Sequence, residues 1–575
     1  MKKLLVLLLA FSMALSVCMV GCGKESYKGV DDDVTDSFHK YSQTLNMKVG
    51  QWVADEKQFP VGESPSDNLM YDLVEEYTNI HLEPAFTTAY GQYFFDKVAM
   101  LQASDELPDV TAMDASCFAD AVEAGQLADL TEAYEKLASP TLKRIIESNN
   151  GLYKNLGTVD GKLYAIPEPK SDIEGIPVLW IRKDWVEICG WKNSEGGLEP
   201  QTYEEFESLL YAFKQNKSKI ESETGVQGVY PMAIYKEFAG ASPYRGVMNA
   251  HGAYPGIYLE NEDGTLRYGS LDDEMKDGLT TLNKYAVDGI LRSDWATQDT
   301  ASIAAEGGQG KYGVFIDAYW APLATQVQGV IGLKEGGSNP GLSNADWIAC
   351  PMPGYGGEAV SPINDAAPER YYVVNVNYPN PEAMIILMNY LIEGANLESS
   401  EEEQTGYYHP YIVAYRELSE SEKYASRMIY NWLPIILDDP TKNETMATKI
   451  TAALEDESKV ADLVGGERYY YDLIVKEPQS QTDRLNSWVW KMIYGPDGGV
   501  LACKEYESTV VNAYMDAPTE SMVMFNNILN QQIENVAFTR IICEYDVSQI
   551  DQAFAKFKED WLKNGGEKIL GEING

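Results

Sequence analysis

The chain has 575 residues, of which 45% are hydrophobic, and its formal net charge at pH 7 is -43. A chain of this length is too long for one compact core, so two or three domains are predicted. The composition excludes a channel or a fibre, and the excess of acidic residues argues against nucleic acid as a partner because phosphates would be repelled.

The first 22 residues have the pattern of an export signal. Two lysines precede an apolar run over residues 4–15, which is too short to span a membrane as a permanent helix. The residues Met-Val-Gly-Cys at 19–22 resemble a bacterial lipobox, with Met19 where Leu is usual. The resemblance implies a signal peptide over residues 1–21 and lipid modification of Cys22. An ordinary signal peptide that happens to contain this cysteine is the alternative.

The first predicted elements alternate between strand and helix. Residues 22–44 are polar and without periodicity, which predicts a flexible tether. After it the pattern predicts a strand over 47–53, helices over 69–77 and 94–103, and a strand over 110–113. This order is typical of an α/β sheet, whose ligand sites lie beyond the carboxyl ends of the strands. Asp55, Lys57 and Asp114 are therefore predicted to share one rim.

Residues 161–185 contain two extended runs joined by a connector that holds proline and charged residues. Strands are predicted over 164–167 and 178–181, and a helix follows with Gly190 at its carboxyl end. We interpret this stretch as a crossing point between two lobes.

Further along, capping residues and turn signals predict additional elements. Thr202 and Glu205 predict a capping box for a helix over 202–214. Asp263-Gly264 lies between two short apolar runs and predicts a β-hairpin rather than a metal loop. The remaining predictions are a helix over 279–291, a strand over 371–376, a helix over 380–391 and a mostly helical remainder.

The cysteines and acidic residues indicate no metal or cofactor. Once Cys18 is discarded with the signal peptide and Cys22 is modified, five cysteines remain, and none form a C-x-x-C pair. They are predicted to be small buried side chains. Residues 215–228 lack the alternating oxygen ligands of a calcium loop, so no calcium is expected there.

Several segments together resemble a known family. They are LVEEYTNI (73–80), KVAMLQASDELPDV (97–110), GKLYAIP (161–167), LWIRKDWVEICGW (179–191) and FKEDWLKNGGEKILGEIN (557–574). They are similar to the extracellular solute-binding proteins of carbohydrate ABC transporters, in particular to the large lipoprotein branch of Gram-positive bacteria often called LplA-like.

The resemblance implies a fold and a division of the chain. The fold is α/β, bilobed and periplasmic-binding-protein-like (type II), with a ligand cleft between two lobes joined by hinge segments. The implied parts are 45–167 in lobe 1, 168–369 in lobe 2, 370–490 as a mostly helical return to lobe 1, and 491–575 as a helical segment that packs on lobe 2 and the hinge.

The same resemblance implies the residues that contact a sugar. Sugars need aromatic platforms and fixed polar groups, because they present both apolar faces and hydroxyls. For the tryptophans the alternative is core packing, and for Arg182 it is a structural ion pair. The ligand-binding residues that the resemblance implies are Asp55, Lys57, Asp114, Glu168, Ser171, Asp317, Tyr319 and Trp320. Residue type adds Trp180, Arg182 and Trp432 as candidates.

The function that the resemblance implies is capture of an oligosaccharide and its delivery to an ABC transporter permease. The expected location is the extracellular face of the cytoplasmic membrane, where the lipid on Cys22 would hold a monomer. Two alternatives are a binding lipoprotein for peptides or another solute, and a secreted glycoside hydrolase with paired carboxylates. No nucleophile elbow, Walker A loop or zinc motif indicates an enzyme.

Overall fold

The computed structural model describes most of the chain. The described residues are 29–53, 62–89, 91–236, 242–357, 363–364, 368, 370–395, 433–437, 439–463, 465–506, 511–512 and 519–575. Four of the predicted functional residues, Cys22, Asp55, Lys57 and Trp432, lie outside this set.

Two open sheets carry the fold. Their strands, together with those of three two-stranded pairs, are β1 (Leu45–Val53), β2 (Ile80–Ala89), β3 (Val110–Met113), β4 (Thr158–Val159), β5 (Lys162–Leu163), β6 (Ala165–Pro167), β7 (Val178–Arg182), β8 (Tyr230–Met232), β9 (Tyr258–Glu260), β10 (Leu266–Tyr268), β11 (Tyr312–Asp317), β12 (Trp347–Pro351), β13 (Ile363–Asn364), β14 (Tyr371–Val374) and β15 (Val511–Asn512). The larger sheets have the orders β2-β1-β3-β14-β6 and β12-β7-β11-β8.

Helices pack on these sheets and form most of the carboxyl-terminal part. They are α1 (Leu69–Thr78), α2 (Gln92–Ala103), α3 (Ala115–Glu123), α4 (Thr131–Leu137), α5 (Pro140–Ile146), α6 (Ser148–Leu156), α7 (Lys183–Cys189), α8 (Tyr203–Gln215), α9 (Lys217–Thr224), α10 (Ser242–Ala250), α11 (Glu274–Val287), α12 (Thr300–Gly308), α13 (Thr325–Glu335), α14 (Glu382–Ala395), α15 (Lys442–Glu455), α16 (Gly465–Val475), α17 (Gln481–Tyr494), α18 (Gly499–Lys504), α19 (Glu520–Asn527), α20 (Asn535–Cys543), α21 (Val547–Trp561) and α22 (Glu567–Ile573).

Most predicted elements are confirmed, with small corrections at their ends. Gly190 ends α7 in the left-handed conformation, and β9 and β10 form the predicted hairpin. Thr202 caps α8 by accepting from the Glu205 amide, but the Glu205 carboxylate accepts from the amides of Ser194 and Gln201 instead of closing a capping box. The helix predicted over 279–291 begins and ends earlier, as α11, and the strand predicted over 371–376 ends at Val374.

The buried side chains form two separate hydrophobic cores, one for each large sheet. The first core contains buried residues between Tyr41 and Ile166, between Tyr371 and Ile392, and between Leu433 and Leu437. The second contains buried residues between Ile173 and Met352 and between Met446 and Ile569. The chain therefore folds as two α/β lobes, as predicted.

The two cores correct the expected domain boundaries. Residues 370–490 were expected in the first lobe, but Met446, Ile450 and Val489 are buried in the second core. The helices from α15 onward follow the second lobe because their apolar stripes face its core. The tether expected over 22–44 is also shorter, since Tyr41 is buried in the first core and the Val30 amide donates to Asn380 Oδ1 at 2.9 Å.

In the described residues the chain passes between the cores at three places. We call these the first crossing segment (168–177), the second (352–357, 363–364, 368 and 370) and the third (439–441). The Glu168 amide donates to the Arg370 carbonyl at 2.8 Å, which joins the first and second segments, and the Asp172 amide donates to the Pro440 carbonyl at 3.0 Å, which joins the first and third. The three segments thus run side by side.

The direction of the strands places strand ends of each sheet at these segments. In the first sheet, Tyr371 at the start of β14 pairs with both Met113 and Pro167, so the carboxyl ends of β3 and β6 lie beside the start of β14. In the second sheet, Val178 pairs with Asp317 and with Pro351. The carboxyl ends of β11 and β12 therefore lie where the chain enters and leaves the second lobe.

Within the described residues, no helix is long and apolar enough to cross a membrane. Three of the five remaining cysteines, Cys117, Cys350 and Cys503, are buried as predicted, whereas Cys543 is exposed. The segment without calcium ligands forms α9.

Candidate functional site

A cavity of about 360 Å³ opens at the carboxyl end of β11. Its wall includes Lys170, Glu174 and Gly175 of the first crossing segment, and the other lining residues belong to the second lobe. The lining residues are Lys170, Glu174, Gly175, Tyr235, Pro243, Arg245, Thr300, Ile303, Ala304, Phe315, Ile316, Asp317, Ala318, Trp320 and Gln326. The cavity combines apolar and charged groups next to the segments that join the lobes, a composition common to small-molecule sites.

Trp320 is an exposed aromatic ring in the wall of this cavity. It follows β11, and 38% of its surface is exposed, although the described tryptophans in the strands are buried. Its indole Nε1 donates to Glu174 Oε1 at 3.2 Å, which fixes the plane of the ring. An exposed ring held in one orientation can stack on the apolar face of a sugar.

Asp317 supplies a carboxylate to the same cavity. Its Oδ2 accepts from Gln326 Nε2 at 2.9 Å, and its Oδ1 accepts from the Ala318 amide at 2.8 Å. Burial raises the pKa of this carboxyl, while the two hydrogen bonds oppose the shift. Arg245 is also buried here and donates from Nη1 to the Gly175 carbonyl at 3.2 Å.

Glu168, Ser171 and Tyr319 lie among the crossing segments. Both oxygens of Glu168 accept from Arg370 Nη1, at 2.9 and 2.7 Å, and the guanidinium of Arg370 lies over the Trp52 ring. The Asn443 Nδ2 donates to the Tyr319 hydroxyl at 2.9 Å and to Ser171 Oγ at 3.4 Å. These three predicted residues are therefore near the junction of the lobes, where each is tied to a protein partner.

Trp180 is corrected from a ligand-binding residue to a core residue. It lies in the middle of β7, between Phe315 of β11 and Ala349 of β12, and none of its surface is exposed. Its Nε1 donates to the Ala318 carbonyl at 3.1 Å. A central strand covered on both faces leaves its ring no route to a ligand.

Arg182 is corrected to a structural ion pair, the alternative that the sequence left open. It is fully buried and donates from Nε and Nη2 to the two oxygens of Asp184 at 2.9 and 2.7 Å. Its guanidinium lies over the rings of Trp185 and Trp347. Arg182 ends β7, whose start faces the crossing segments, so it lies at the opposite edge of the sheet.

Asp114 has a local structural role. Its Oδ1 accepts from the Cys117 amide at 2.8 Å and caps α3 at the carboxyl end of β3. Ligand contact by its other oxygen stays a prediction.

Sequence reasoning missed Glu174, Arg245 and Gln326 of the cavity. Glu174 belongs to the charged connector, which was a usable signal. Arg245 in α10 and Gln326 in α13 reach the cavity only because their helices pack against β11 and its loop, and no local pattern marks them. In the described residues, no group of three or more His, Cys, Asp or Glu side chains has the arrangement of a metal site.

In the described residues, the carboxyl ends of strands in both lobes lie at the three crossing segments, and this arrangement defines the fold class. The fold is the bilobed α/β fold of the extracellular solute-binding proteins, which confirms the family resemblance at the level of fold.

Comparison with solved structures supports this assignment along nearly the whole chain. The alginate-binding protein AlgQ2 has a TM-score of 0.54 at 13% identity and covers 94% of this chain and 99% of its own. An extracellular solute-binding protein from Bifidobacterium longum subsp. infantis has a TM-score of 0.57 at 18% identity, covering 92% and 98%. An HMO-binding, ABC-transporter-associated solute-binding protein from Bifidobacterium longum infantis also has a TM-score of 0.57, at 16% identity with the same coverage.

One relative has detectable similarity in sequence. Lipoprotein LipO of Bacillus subtilis (strain 168) is 27% identical over 298 residues, which are 50% of this chain. The match spans about half the length of that relative, 54%. No protein-family model matches the chain.

Proposed function

We propose that this chain is an extracellular, lipid-anchored substrate-binding protein that captures an oligosaccharide between its lobes and delivers it to an ABC transporter permease. The observation that carries the proposal is the exposed, oriented ring of Trp320 beside the half-buried carboxylate of Asp317, next to the crossing segments. The fold supports it, and so do neighbours that are described as binding alginate or HMO.

The arrangement suits reversible capture. A sugar stacked on Trp320 and hydrogen-bonded to groups at the sheet edge would lie against the first crossing segment, where it also meets the first lobe. Binding to both lobes stabilises the closed arrangement more than the open one, so ligand shifts the population toward closure.

A panel of ligands in thermal unfolding tests this proposal. Because a ligand that binds only the folded state raises the melting temperature, at least one oligosaccharide should raise it and peptides should not. Incubation with the same glycans, followed by mass spectrometry, should return them intact. A shift with peptides alone would contradict sugar binding, and cleaved glycans would indicate a hydrolase.

Trp320→Ala tests the site itself. Loss of the platform should weaken binding of the responding glycan by about 1 to 2 kcal/mol, measured by calorimetry. Leu323→Ala is the matched control, because Leu323 is exposed in the same loop but offers no ring. Equal affinity of both variants and the wild type would place the sugar elsewhere.

The anchor is tested separately. With a lipid on Cys22 the protein should fractionate with membranes, because more than one acyl chain gives stable anchoring, and Cys22→Ala should release it. Unchanged fractionation of the variant would contradict lipid attachment at this residue.

A further inference from the structure

Trp320 belongs to a closed ring of contacts that includes the first crossing segment. The indole is held by Glu174, and the Glu174 amide donates to the Ser171 carbonyl at 2.9 Å. Ser171 Oγ accepts from Asn443, which also donates to the hydroxyl of Tyr319, the residue before Trp320. The loop that carries Trp320 is therefore joined to the first crossing segment both through Glu174 and through Asn443.

Asn443 completes this set of contacts, and it lies outside the second sheet. It follows the third crossing segment, in the first turn of α15, and its Oδ1 accepts from the Tyr494 hydroxyl at 3.0 Å. Its side-chain amide thus links three parts of the fold, namely α17, the first crossing segment and the loop after β11. The backbone bond between Asp172 and Pro440 joins the same two crossing segments.

We infer that Asn443 is a positioning residue for Trp320, which couples the arrangement of the crossing segments to the orientation of the stacking platform. The inference deepens the proposed function and rests on it where sugar affinity is the readout. When the crossing segments change their relative position, Asn443 moves with the third segment and Glu174 with the first. Asn443 and Glu174 both contact the short loop after β11 that carries Trp320. The Trp320 ring therefore has its binding orientation in only one arrangement of the lobes.

A double-mutant cycle tests the coupling. Asn443→Ala should weaken binding of the responding glycan about tenfold in the wild-type background but less than twofold in the Trp320→Ala background, because its effect on affinity depends on the Trp320 side chain. Asn443→Asp keeps the shape and an acceptor for Tyr494 while losing the amide donor, so it should reproduce the loss. Equal losses in both backgrounds would overturn the inference, since a merely structural role would be additive.

A ligand-free readout separates this inference from the proposed function. In protein labelled with 5-fluorotryptophan, the ¹⁹F resonance of Trp320, assigned with Trp320→Phe, should shift or broaden in both Asn443 variants. Thr448→Ala is the matched control, since Thr448 is an exposed residue further along α15 and should leave the resonance unchanged.

The outcomes are distinct. If no glycan binds the wild type, the proposed function fails, and the ¹⁹F spectra alone decide the inference. If glycans bind but neither the cycle nor the resonance responds to Asn443, the proposed function stands and the inference fails.

Discussion

Trp180 and Trp320 show how position decides what a residue can do. Both belong to the second sheet or its loops, and the Trp180 indole even donates to the carbonyl two residues before Trp320. Yet the first is enclosed by neighbouring strands and the second lies past the end of β11, exposed beside a cavity. Stacking on a ligand is thus open to one ring and closed to the other.

Glu534 is a buried carboxyl whose ionisation should affect stability. Its oxygens accept from the Tyr268 hydroxyl at 2.8 Å and from Ser270 Oγ at 3.0 Å. Burial raises the pKa of this group to about 7, against the opposing effect of those two hydrogen bonds. Between about pH 4.5 and 7, the carboxyl keeps its proton in the folded state but loses it in the unfolded state. The contribution of Glu534 to the free energy of unfolding is therefore fully present below about pH 4.5 and is lost as the pH rises toward 7.

Glu534→Gln should therefore stabilise the protein at pH 8 and much less at pH 5. The largest gain in free energy of unfolding is about 3 kcal/mol, because each pKa unit corresponds to about 1.4 kcal/mol and the hydroxyls can turn to suit the amide. Urea unfolding at the two pH values measures it, with the exposed Glu559→Gln as control. A gain that does not depend on pH would contradict the ionisation argument.

At the scale of elements, two glycines show where strands demand the absence of a side chain. A Cβ on Gly50 of β1 would lie 2.5 Å from Thr111 Oγ1, beside the register shift between β1 and β2. A Cβ on Gly313 of β11 would lie 2.6 Å from both the Phe213 and the Trp185 rings. Close packing of helix and sheet thus depends on glycine at these points.

Gly313→Ala should destabilise the second lobe by about 1 to 3 kcal/mol through overpacking. Gly332→Ala is the control with the opposite expected effect. Apart from the backbone of its own helix, no atom lies within 4 Å of the added Cβ, and the residue lies inside α13. That change should stabilise the protein by about 0.4 to 1 kcal/mol by restricting the unfolded chain. Urea midpoints of both variants test the pair, and a neutral Gly313→Ala would show that the rings can move aside.

At the scale of the whole molecule, two cores joined by three crossing segments predict two units of unfolding. Ile386 is buried in the first core and Leu282 in the second. Because the two cores are separate, each lobe can lose its packing while the other keeps it. A ligand that contacts both lobes should stabilise both units.

Ile386→Ala and Leu282→Ala should each remove about 2 to 5 kcal/mol from one lobe only. Scanning calorimetry should then show two transitions, with each variant lowering a different one and a bound glycan raising both. A single transition lowered equally by both variants would show that the lobes unfold together.

Much of the fold was predictable because its signals are local. Strand and helix periodicity, the cap at Gly190 and the hairpin at Asp263-Gly264 depend on neighbouring residues. The cap and the hairpin are confirmed, and most of the periodic segments are confirmed with corrected ends. The site was less predictable. The family resemblance implied Asp317 and Trp320, which lie at and just after the carboxyl end of β11, whereas Arg182 ends β7 on the side of the sheet that faces away from the crossing segments.

The sequence by itself determined the α/β class and the order of most elements, because hydrophobic periodicity and turn residues act over a few positions, while chain length and the family resemblance implied two lobes. Only the tertiary structure decided which lobe the helices after residue 440 join, which tryptophan stays exposed, and that Asn443 meets Tyr319 across 124 residues. Those outcomes depend on strand direction and on packing between distant segments, and neither leaves a pattern in the residues nearby.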